Sequence, residues 1–518
     1  MKKISFLFLL VFALGTTFAQ PLNSKQIDSL VELTLKTFNV PGIAVGVVKD
    51  GKLIHAKGYG VANLETGKKV DEYTLFGIAS NSKAFTTAAI SMLVEDGKMK
   101  WDDKVTDYIP GFKMYDPYVT EAFTVRDLVT HRSGLGLGAG DLMMWPDGSN
   151  FSKADIIHNL RYLKPVSAFR TKYDYDNNLY IVAGEVVSKV AGMPWEEFVE
   201  QRIMKPLEFQ HSAASLSRLK DKSNMIRPHA PVDGSLKVID INWSETANAA
   251  GGIWSNINDL SKWVILQLNH GKYGDGLSKK LFSENIHEEM WSPQTIIKSV
   301  TTPPYNTHFS AYGLGWFLSD IKGYKQVTHT GGLAGIVTQV VLLPELNIGI
   351  MVLTNQQSGA AFSSISNTIK DGYLGVTGQN WVKNFSEREK RGFDEAEKIN
   401  KKVNADIAAA QQMRSGSFDF NPYLGTYHDE WFGDIVLSIK GGKPWISSVR
   451  SPKLQGELLS YKGNTLIARW TDRSMDADAF LYFSLDRNGK PNAFIMEAIS
   501  PLTDFSFDFQ DLDLKRIK

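Results

Sequence analysis

The hydrophobic positions of this chain form strand-like runs at both ends of a long first segment, with helical patterns between them. Residues 42–48 are an apolar, β-branched run that ends in the hairpin signal Lys49-Asp50-Gly51-Lys52, and residues 53–59 have the pattern of the return strand. Two further apolar strands, at 339–343 and 348–353, close the segment. This arrangement predicts an α+β domain, in which helices pack on an antiparallel sheet whose edge strands come from both ends of the segment.

The last part of the chain changes to short strands separated by turn signals. Residues 435–439 alternate between apolar and polar positions, and residues 465–470 form a similar run. Roughly 100 residues of such strands predict a small β-barrel or sandwich. Three phenylalanines spaced two apart are expected to share one face of a late strand, where they either pack in the core or line a ligand cavity: Phe505, Phe507 and Phe509.

The length of 518 residues favours two domains, because single hydrophobic cores rarely grow past about 300 residues. Residues 381–415 separate the two patterns. They are dense in charges of both signs and then rich in alanine, which indicates a solvated connecting helix. We therefore expect a first domain at 20–380, this linker, and a β domain at 416–518.

The first nineteen residues have the pattern of a secretory signal. Lys2 and Lys3 precede an apolar run at 4–14, and Thr17-Phe18-Ala19 places small residues before Gln20. The apolar run is too short to span a bilayer, and no later segment is apolar enough to do so. We expect cleavage before Gln20 and a periplasmic or secreted protein with no integral membrane segment.

Charge and composition exclude several function classes. Basic and acidic residues number 57 and 56, so the chain lacks the positive field that a nucleic acid partner requires. The sequence contains no cysteine, which excludes a cysteine nucleophile, a thiolate zinc site and a lipid-anchored N-terminal cysteine. Neither H-E-x-x-H nor G-x-S-x-G occurs, which argues against a zinc hydrolase and an α/β-hydrolase.

The motif S-x-x-K is the strongest chemical signal, although the spacing by itself is weak. Only one of its copies follows a strand-like run, at 74–79, and opens an apolar helical run, at 84–94. That helix is apolar nearly all round, so it is expected to be buried. The other two copies lie in a charged stretch and next to a turn. The copies are Ser80 with Lys83, Ser217 with Lys220, and Ser319 with Lys322.

Ser80 and Lys83 have the spacing that a serine nucleophile and its base require. Side chains at i and i+3 lie on one helix face, so the lysine amine can reach the serine hydroxyl. A lysine titrates at about 10.4 in water, and burial lowers this pKa toward neutrality. The alternative is that Ser80 caps the helix and Lys83 extends to the surface. Against this, Lys83 is the one charge in an otherwise apolar helix.

Two later motifs supply polar groups that a buried amine needs. Tyr175 and Asn177 form a Y-x-N element, in which the phenol can relay the serine proton and the amide can bind Lys83 or a substrate carbonyl. The alternative is a polar loop before the next helix. His329 and Thr330 precede two glycines between strand-like segments, where they either bind a substrate or belong to a β-turn.

In this order the three motifs resemble those of the serine β-lactamase and penicillin-binding protein superfamily. They stand here as Ser80-Asn81-Ser82-Lys83, Tyr175-Asp176-Asn177 and His329-Thr330-Gly331. The tyrosine that begins the second motif, Tyr175, resembles the tyrosine of the class C β-lactamase and D-aminopeptidase/esterase branch. The resemblance covers roughly residues 25–375. It implies an antiparallel sheet flanked by helices with an all-helical subdomain. The C-terminal part resembles the small lipocalin-like β domain appended to some of these hydrolases.

The resemblance also implies a mechanism. Ser80 attacks a carbonyl and forms an acyl-enzyme, while Lys83 and Tyr175 shuttle the proton, with either of them as the base. Backbone N–H groups of Ser80 and Gly332 form the oxyanion hole. The remaining motif residues orient the substrate, and neither metal nor cofactor is needed. These residues are Asn177, His329, Thr330 and Gly331.

His329 departs from the pattern, because β-lactamases and penicillin-binding proteins usually carry lysine at this position. A mostly neutral histidine weakens the fixed charge for a substrate carboxylate. We therefore expect an esterase, amidase or peptidase that acts on a small-molecule or peptide substrate, including D-amino-acid and cell-wall derivatives. A β-lactamase or penicillin-binding carboxypeptidase, and a non-turnover ligand-binding or sensor protein, are the alternatives. A further hypothesis places substrate specificity in the C-terminal domain. The sequence does not indicate an oligomeric state.

Overall fold

The computed structural model describes residues 20–241, 243–413 and 418–517, so the predicted signal sequence lies outside the described residues. Within these ranges, eight strands form one antiparallel sheet with the order β2-β1-β8-β7-β6-β5-β4-β3. In chain order the strands are β1 (Gly42–Lys49), β2 (Lys52–Gly60), β3 (Thr295–Ile297), β4 (Ser310–Tyr312), β5 (Phe317–Ile321), β6 (Tyr324–Leu333), β7 (Ile336–Leu343) and β8 (Ile348–Thr354).

The first and last strands of the sheet in chain order, β1 and β8, pair with each other as the second and third strands from one edge. Strand β8 pairs with β1, from Ile43 opposite Thr354 to Lys49 opposite Ile348. The edges are β2 and β3, so the expectation that both ends of the segment supply edge strands is wrong for the second edge. The short edge strand β3 was missed because three residues carry too little alternation to be recognised.

Helices cover both faces of the sheet, which explains why β1 and β8 are apolar along nearly their whole length. Helices α1 (Ser24–Thr37) and α5 (Gly359–Leu374) pack on one face. Helix α4 (Ile257–Leu268) packs on the other. Gly46 of β1 lies under α4, where an added Cβ atom would come within 2.7 Å of Ile257.

The helical region lies on the α4 side and contains the first two motifs, whereas the third motif lies on sheet strand β6. Helix α2 (Lys83–Glu95) is buried from Lys83 to Leu93 and packs against α3 (Asn178–Ala191). Shorter α-helices surround them: Val105–Tyr108, Pro117–Ala122, Val125–Leu128, Lys153–Asn159, Trp195–Val199, Asn248–Gly251 and Glu284–Met290. Paired short strands complete the domain: Phe76–Gly77 with Trp254–Ser255, His229–Val232 with Ser235–Val238, and Lys272–Tyr273 with Lys279–Lys280.

A long helix, α6 (Trp381–Met413), leads to the second domain. Its residues Val403 and Ile407 pack on Ile467 and Ile499, and Asp406 accepts a hydrogen bond from the Tyr461 hydroxyl at 2.9 Å. The helix is therefore docked on the second domain and is not only solvated. Among the described residues, no helix is both long and apolar enough to cross a bilayer.

Within residues 418–517, eight antiparallel strands form a closed barrel. Its interior is packed, because Tyr427 and Phe483 each lie 4.9 Å from Phe494 between ring centres and all three are buried. The strands are β9 (Gly425–Asp429), β10 (Gly433–Lys440), β11 (Lys443–Ser448), β12 (Gln455–Ser460), β13 (Thr465–Trp470), β14 (Ala479–Leu485), β15 (Pro491–Ala498) and β16 (Leu514–Arg516).

The segment between β15 and β16 differs from the prediction. Phe505, Phe507 and Phe509 do not share a strand face, because residues 499–508 form turns and Phe509–Asp511 is a 3-10 helix. Phe507 and Phe509 are buried, whereas Phe505 is 41% exposed. Alternating aromatic residues therefore do not by themselves predict a strand, because here the three rings lie in turns and a 3-10 helix and differ in burial. This segment, here called the barrel loop (residues 499–508), reaches the first domain.

Candidate active site

Ser80 and Lys83 lie together at the start of α2. Residues Ala79–Ser82 form a 3-10 turn, so Ser80 precedes the α-helix rather than opening it. The Lys83 side chain is fully buried. Its Nζ atom donates hydrogen bonds to Ser80 Oγ at 3.0 Å, Asn177 Oδ1 at 2.7 Å and the Ala250 carbonyl at 2.9 Å. All three protons of an ammonium group are thus used by fixed acceptors.

The surroundings of Lys83 bring its pKa close to neutrality. Burial lowers the pKa of Lys83 to about 7, and the nearby carboxyls of Asp141 and Asp176 act in the opposite direction. The amine is therefore available in part at neutral pH. In that form it has two protons for Asn177 and Ala250, and its lone pair faces the hydroxyl of Ser80.

Tyr175 lies on the other side of the nucleophile. Ser80 lies close enough to the Tyr175 hydroxyl to lower the pKa of that phenol, and Lys83 Nζ lies 4.8 Å from the centre of its ring. Burial raises the pKa of Tyr175, so the group remains a phenol at neutral pH. The His131 ring packs against it at 4.3 Å between centres, and His131 Nδ1 accepts a hydrogen bond from the Asp176 backbone N–H at 3.1 Å. His131 is therefore a buried histidine whose ring packs against the Tyr175 ring and helps to fix its position.

Asn177 connects Lys83 to a carboxyl that sequence reasoning missed. Its Nδ2 atom donates to Asp141 Oδ2 at 2.8 Å, while its Oδ1 atom accepts from Lys83. These two bonds fix the orientation of the amide. Asp141 is fully buried, and burial raises its pKa well above the usual range. A signal was present, since Asp141 is the single acid between a glycine-rich stretch and the apolar run at 142–145.

His329 occupies a strand and not a turn, because β6 continues through Leu333. Its Nδ1 atom lies 2.6 Å from the Thr330 carbonyl oxygen, which can only accept, so Nδ1 carries the proton. Nε2 then accepts from the Tyr312 hydroxyl at 3.1 Å. Burial, with a contribution from Lys83, lowers the pKa of His329 to about 3. His329 is therefore a neutral side chain, 1% exposed, while Thr330 is exposed in the cleft.

Gly331 lets β6 lie directly against the turn that carries the nucleophile. An added Cβ atom at Gly331 would come within 2.3 Å of the Ile78 carbonyl oxygen and 2.8 Å of Ala79 Cβ. Thr338 of β7 ties the same turn to the sheet, because its hydroxyl donates to the Ile78 carbonyl at 2.9 Å. This close packing brings Gly332 beside Ser80, where both line one cleft.

The cleft over Ser80 has a volume of about 470 Å³ and contains the expected motif residues with the exception of Lys83 and Gly331, which lie behind its wall. Its walls are largely aromatic and apolar. The barrel loop contributes Asp504, Phe505 and Ser506, and the Phe505 ring meets Tyr175 edge-on at 6.0 Å. Among the described lining residues, Asp504 is the one acidic side chain and no lysine or arginine is present, while His329 is neutral.

The arrangement is suited to acyl transfer, because a hydroxyl, a partly neutral amine and a phenol meet under an open cleft. Within the described ranges, no group of three or more His, Asp or Glu side chains is arranged to hold a metal ion. The barrel loop and Asp141 are the site components that the motifs did not reveal.

Family models match both domains. The model described as Beta-lactamase matches residues 27–370, and a domain of unknown function, DUF3471, matches residues 416–516. The first match covers about two thirds of the chain and includes all the motif residues named above.

Individual proteins are similar over the same region. The unguisins hydrolase ungD of Aspergillus violaceofuscus is 28% identical over 381 residues, which is 68% of this chain and 66% of that protein. Protein flp of Staphylococcus aureus is 28% identical, over 65% of this chain and 64% of that protein. The chain therefore spans slightly less than two thirds of the length of these relatives.

One solved structure shares the fold over nearly the whole chain. It is the octameric penicillin-binding protein homologue from Pyrococcus abyssi, which is 21% identical and has a TM-score of 0.61. The match covers 93% of this chain and 99% of that chain. At this identity the likeness supports the architecture of sheet, helices and C-terminal barrel.

Proposed function

The chain belongs to the beta-lactamase family, and from this premise we propose that it is a serine hydrolase that cleaves an amide, peptide or ester bond through an acyl-enzyme on Ser80. The hydrogen bonds of Lys83 carry the proposal. The Lys83 amine is buried, has a pKa of about 7 and lies 3.0 Å from the serine hydroxyl. It is therefore placed to act as the base that a serine nucleophile needs.

We assign the proton transfers to Lys83 and Tyr175. Neutral Lys83 takes the proton of Ser80 as Oγ attacks the carbonyl carbon, and the oxyanion accepts hydrogen bonds from the backbone N–H groups of Ser80 and Gly332. The raised pKa of Tyr175 supports a role as donor: its phenol passes a proton to the leaving group and is reprotonated from Lys83. Water then attacks the ester carbonyl and releases the acid.

The charge of the cleft favours substrates without a carboxylate near the scissile bond. His329 stays neutral and buried, and Asp504 would repel an anion. Aromatic walls, including Trp243, Phe317 and Phe505, favour apolar acyl groups. These observations support a peptidase, esterase or D-aminopeptidase activity over a β-lactamase or penicillin-binding carboxypeptidase activity. The name of the fungal relative, a hydrolase of unguisins, agrees with bond hydrolysis as the reaction class.

A fluorophosphonate probe tests the proposal. We expect labelling at Ser80 in the wild-type protein and none in Ser80→Ala. Ser217→Ala and Ser319→Ala are matched controls, because they remove the serines of the other two S-x-x-K copies and should leave labelling unchanged. Labelling that persists in Ser80→Ala would contradict the proposal.

Turnover separates an enzyme from a non-turnover binding or sensor protein. The panel consists of nitrocefin, p-nitrophenyl esters and D-aminoacyl anilides. We expect hydrolysis of neutral esters or anilides at rates above that of nitrocefin. A permanent acyl group on Ser80 with no product release on any substrate would favour the sensor alternative.

We also propose that the protein is exported, on the basis of the leader-like residues 1–19. The expected outcome is a mature N-terminus at Gln20 in the periplasm or medium, measured by mass spectrometry of the protein from its native host. An unprocessed chain retained in the cytoplasm would contradict export.

A further inference from the structure

A buried chain of hydrogen bonds runs from the C-terminal barrel to Lys83. Ser506 of the barrel loop donates its hydroxyl proton to Asp141 Oδ2 at 2.9 Å. The same oxygen accepts from Asn177 Nδ2 at 2.8 Å, and Asn177 Oδ1 accepts from Lys83 Nζ at 2.7 Å. Ser506 is separated from Asp141 by 365 positions in sequence, so this chain exists only when the two domains are docked.

The barrel loop also holds the backbone on both sides of Asp141. Asp508 accepts the Gly140 N–H at 2.6 Å on one carboxyl oxygen and the Leu142 N–H at 2.9 Å on the other. Both Asp508 and Asp141 are fully buried. The position of the loop that carries Asp141 is therefore determined by a carboxyl from the other domain.

The two buried carboxyls differ in how they are used. Asp508 has a backbone partner for each oxygen, as a structural carboxyl does. Asp141 has partners on Oδ2, whereas its buried Oδ1 has none among the described residues. A buried oxygen without a partner is costly unless it serves another purpose. Here the carboxyl is linked to Lys83 through Asn177, and its ionised form favours protonation of that lysine.

Resting on the proposed function, we infer that Asp141 and Ser506 are positioning residues for Lys83, and that the C-terminal barrel thereby completes the active site. Asp141 holds the Asn177 amide in the orientation that presents its oxygen to Lys83, and Ser506 holds Asp141. The other titratable groups around Lys83 among the described residues are Asp176, Tyr175, Tyr180, His131 and His329, all contributed by the first domain.

The kinetic test uses three variants of the full-length protein. We expect Asp141→Ala to lower kcat about 10- to 100-fold with little change in KM, because Lys83 loses its orientation. Asp141→Asn keeps an oxygen that accepts both hydrogen bonds, so it should retain most of kcat. Ser506→Ala should lower kcat by a smaller factor, and Ser506→Thr should restore it. Ser460→Ala, a buried serine on barrel strand β12, is the matched control.

A second readout does not depend on turnover. The Nζ resonance of Lys83, assigned with Lys83→Arg in protein containing ¹⁵N-labelled lysine, gives the lysine pKa directly. In its ionised form Asp141 favours the ammonium form of Lys83, and Asp141→Asn removes that form, so the pKa of Lys83 should fall and the acid limb of kcat/KM should move to lower pH.

The outcomes separate the two claims. Variants that only melt at lower temperature, with wild-type kcat and an unchanged Lys83 pKa, would overturn the positioning role. A wild-type protein without turnover, in which Asp141→Asn still shifts the Lys83 pKa, would overturn the proposed function and leave the inference supported.

Discussion

Asn177 Oδ1 accepts a 2.7 Å hydrogen bond from Nζ of Lys83, across 94 positions of sequence. Lys83 Nζ makes one hydrogen bond to this amide and a second to the Ala250 carbonyl oxygen. These two bonds fix the amine so that its third bonding direction points at the Ser80 hydroxyl. A buried amine held in this way has little freedom to reorient during the reaction, which is the preorganisation that acyl transfer requires.

The pH dependence of hydrolysis should follow Lys83. Because the base must be neutral, kcat/KM is expected to rise with pH through an apparent pKa of about 7 and then to level off. Lys83→Arg should lower kcat by about 10²- to 10⁴-fold, since a guanidinium is not deprotonated near neutral pH. Stopped-flow or steady-state kinetics from pH 5 to pH 9 on a neutral ester provide the measurement.

A flat profile across neutral pH in the wild-type protein would contradict this role for Lys83. Tyr175→Phe is the control, because the tyrosine pKa lies well above this window. That variant should be slower, yet its activity should still rise over the same pH range.

Two adjacent glycines should respond differently to alanine. A Cβ atom at Gly331 would meet the Ile78 carbonyl oxygen at 2.3 Å, whereas a Cβ atom at Gly332 has open space around it. Gly331→Ala should push β6 away from Ser80 and lower kcat by about 10²-fold. Gly332→Ala keeps its backbone N–H and should remain close to wild type.

The comparison is made by kinetics and by thermal unfolding of both variants. Equal activity in the two variants would show that the close contact between β6 and the Ile78–Ala79 backbone does not position the nucleophile.

The charge of the cleft should discriminate between substrates. Two p-nitrophenyl esters of equal size, one neutral and one with a carboxylate on the acyl chain, should differ in kcat/KM by about tenfold in favour of the neutral ester. Asp504→Asn should reduce that ratio by several-fold, mainly by helping the anionic ester. Asp486→Asn, an acid at the turn between β14 and β15 that does not line the cleft, is the control. A preference for the anionic ester would remove the basis for disfavouring β-lactam-like substrates.

Phe505 should set the preference for large acyl groups. It is 41% exposed, lines the cleft and meets Tyr175 edge-on, so an apolar acyl group can pack against it. Phe505→Ala should raise KM for a long-chain or aromatic ester by about 5- to 10-fold, as loss of about 1 kcal/mol of apolar contact predicts. The acetyl ester should be nearly unaffected. An equal change for both esters would indicate a structural role for the ring.

Several features followed from local pattern. Strand alternation and hairpin signals predicted the α+β class, the first hairpin and several strands of the barrel, and the three motifs resembled those of a family that the chain proves to belong to. The pairing of Ser80 with Lys83 depends on spacing within one turn, and backbone geometry determines it wherever the helix forms. These features can therefore be predicted without knowing any contact with distant parts of the chain.

Tertiary structure decided the rest. Strand β8 lies beside β1 inside the sheet, His329 is a buried neutral group, and Ser506 and Asp141 are linked to Lys83 through Asn177. Each of these depends on contacts between distant segments, and burial then sets the charge of the groups involved. Spacing in sequence carries no information about such contacts, because they form only when sheet, helices and barrel pack together.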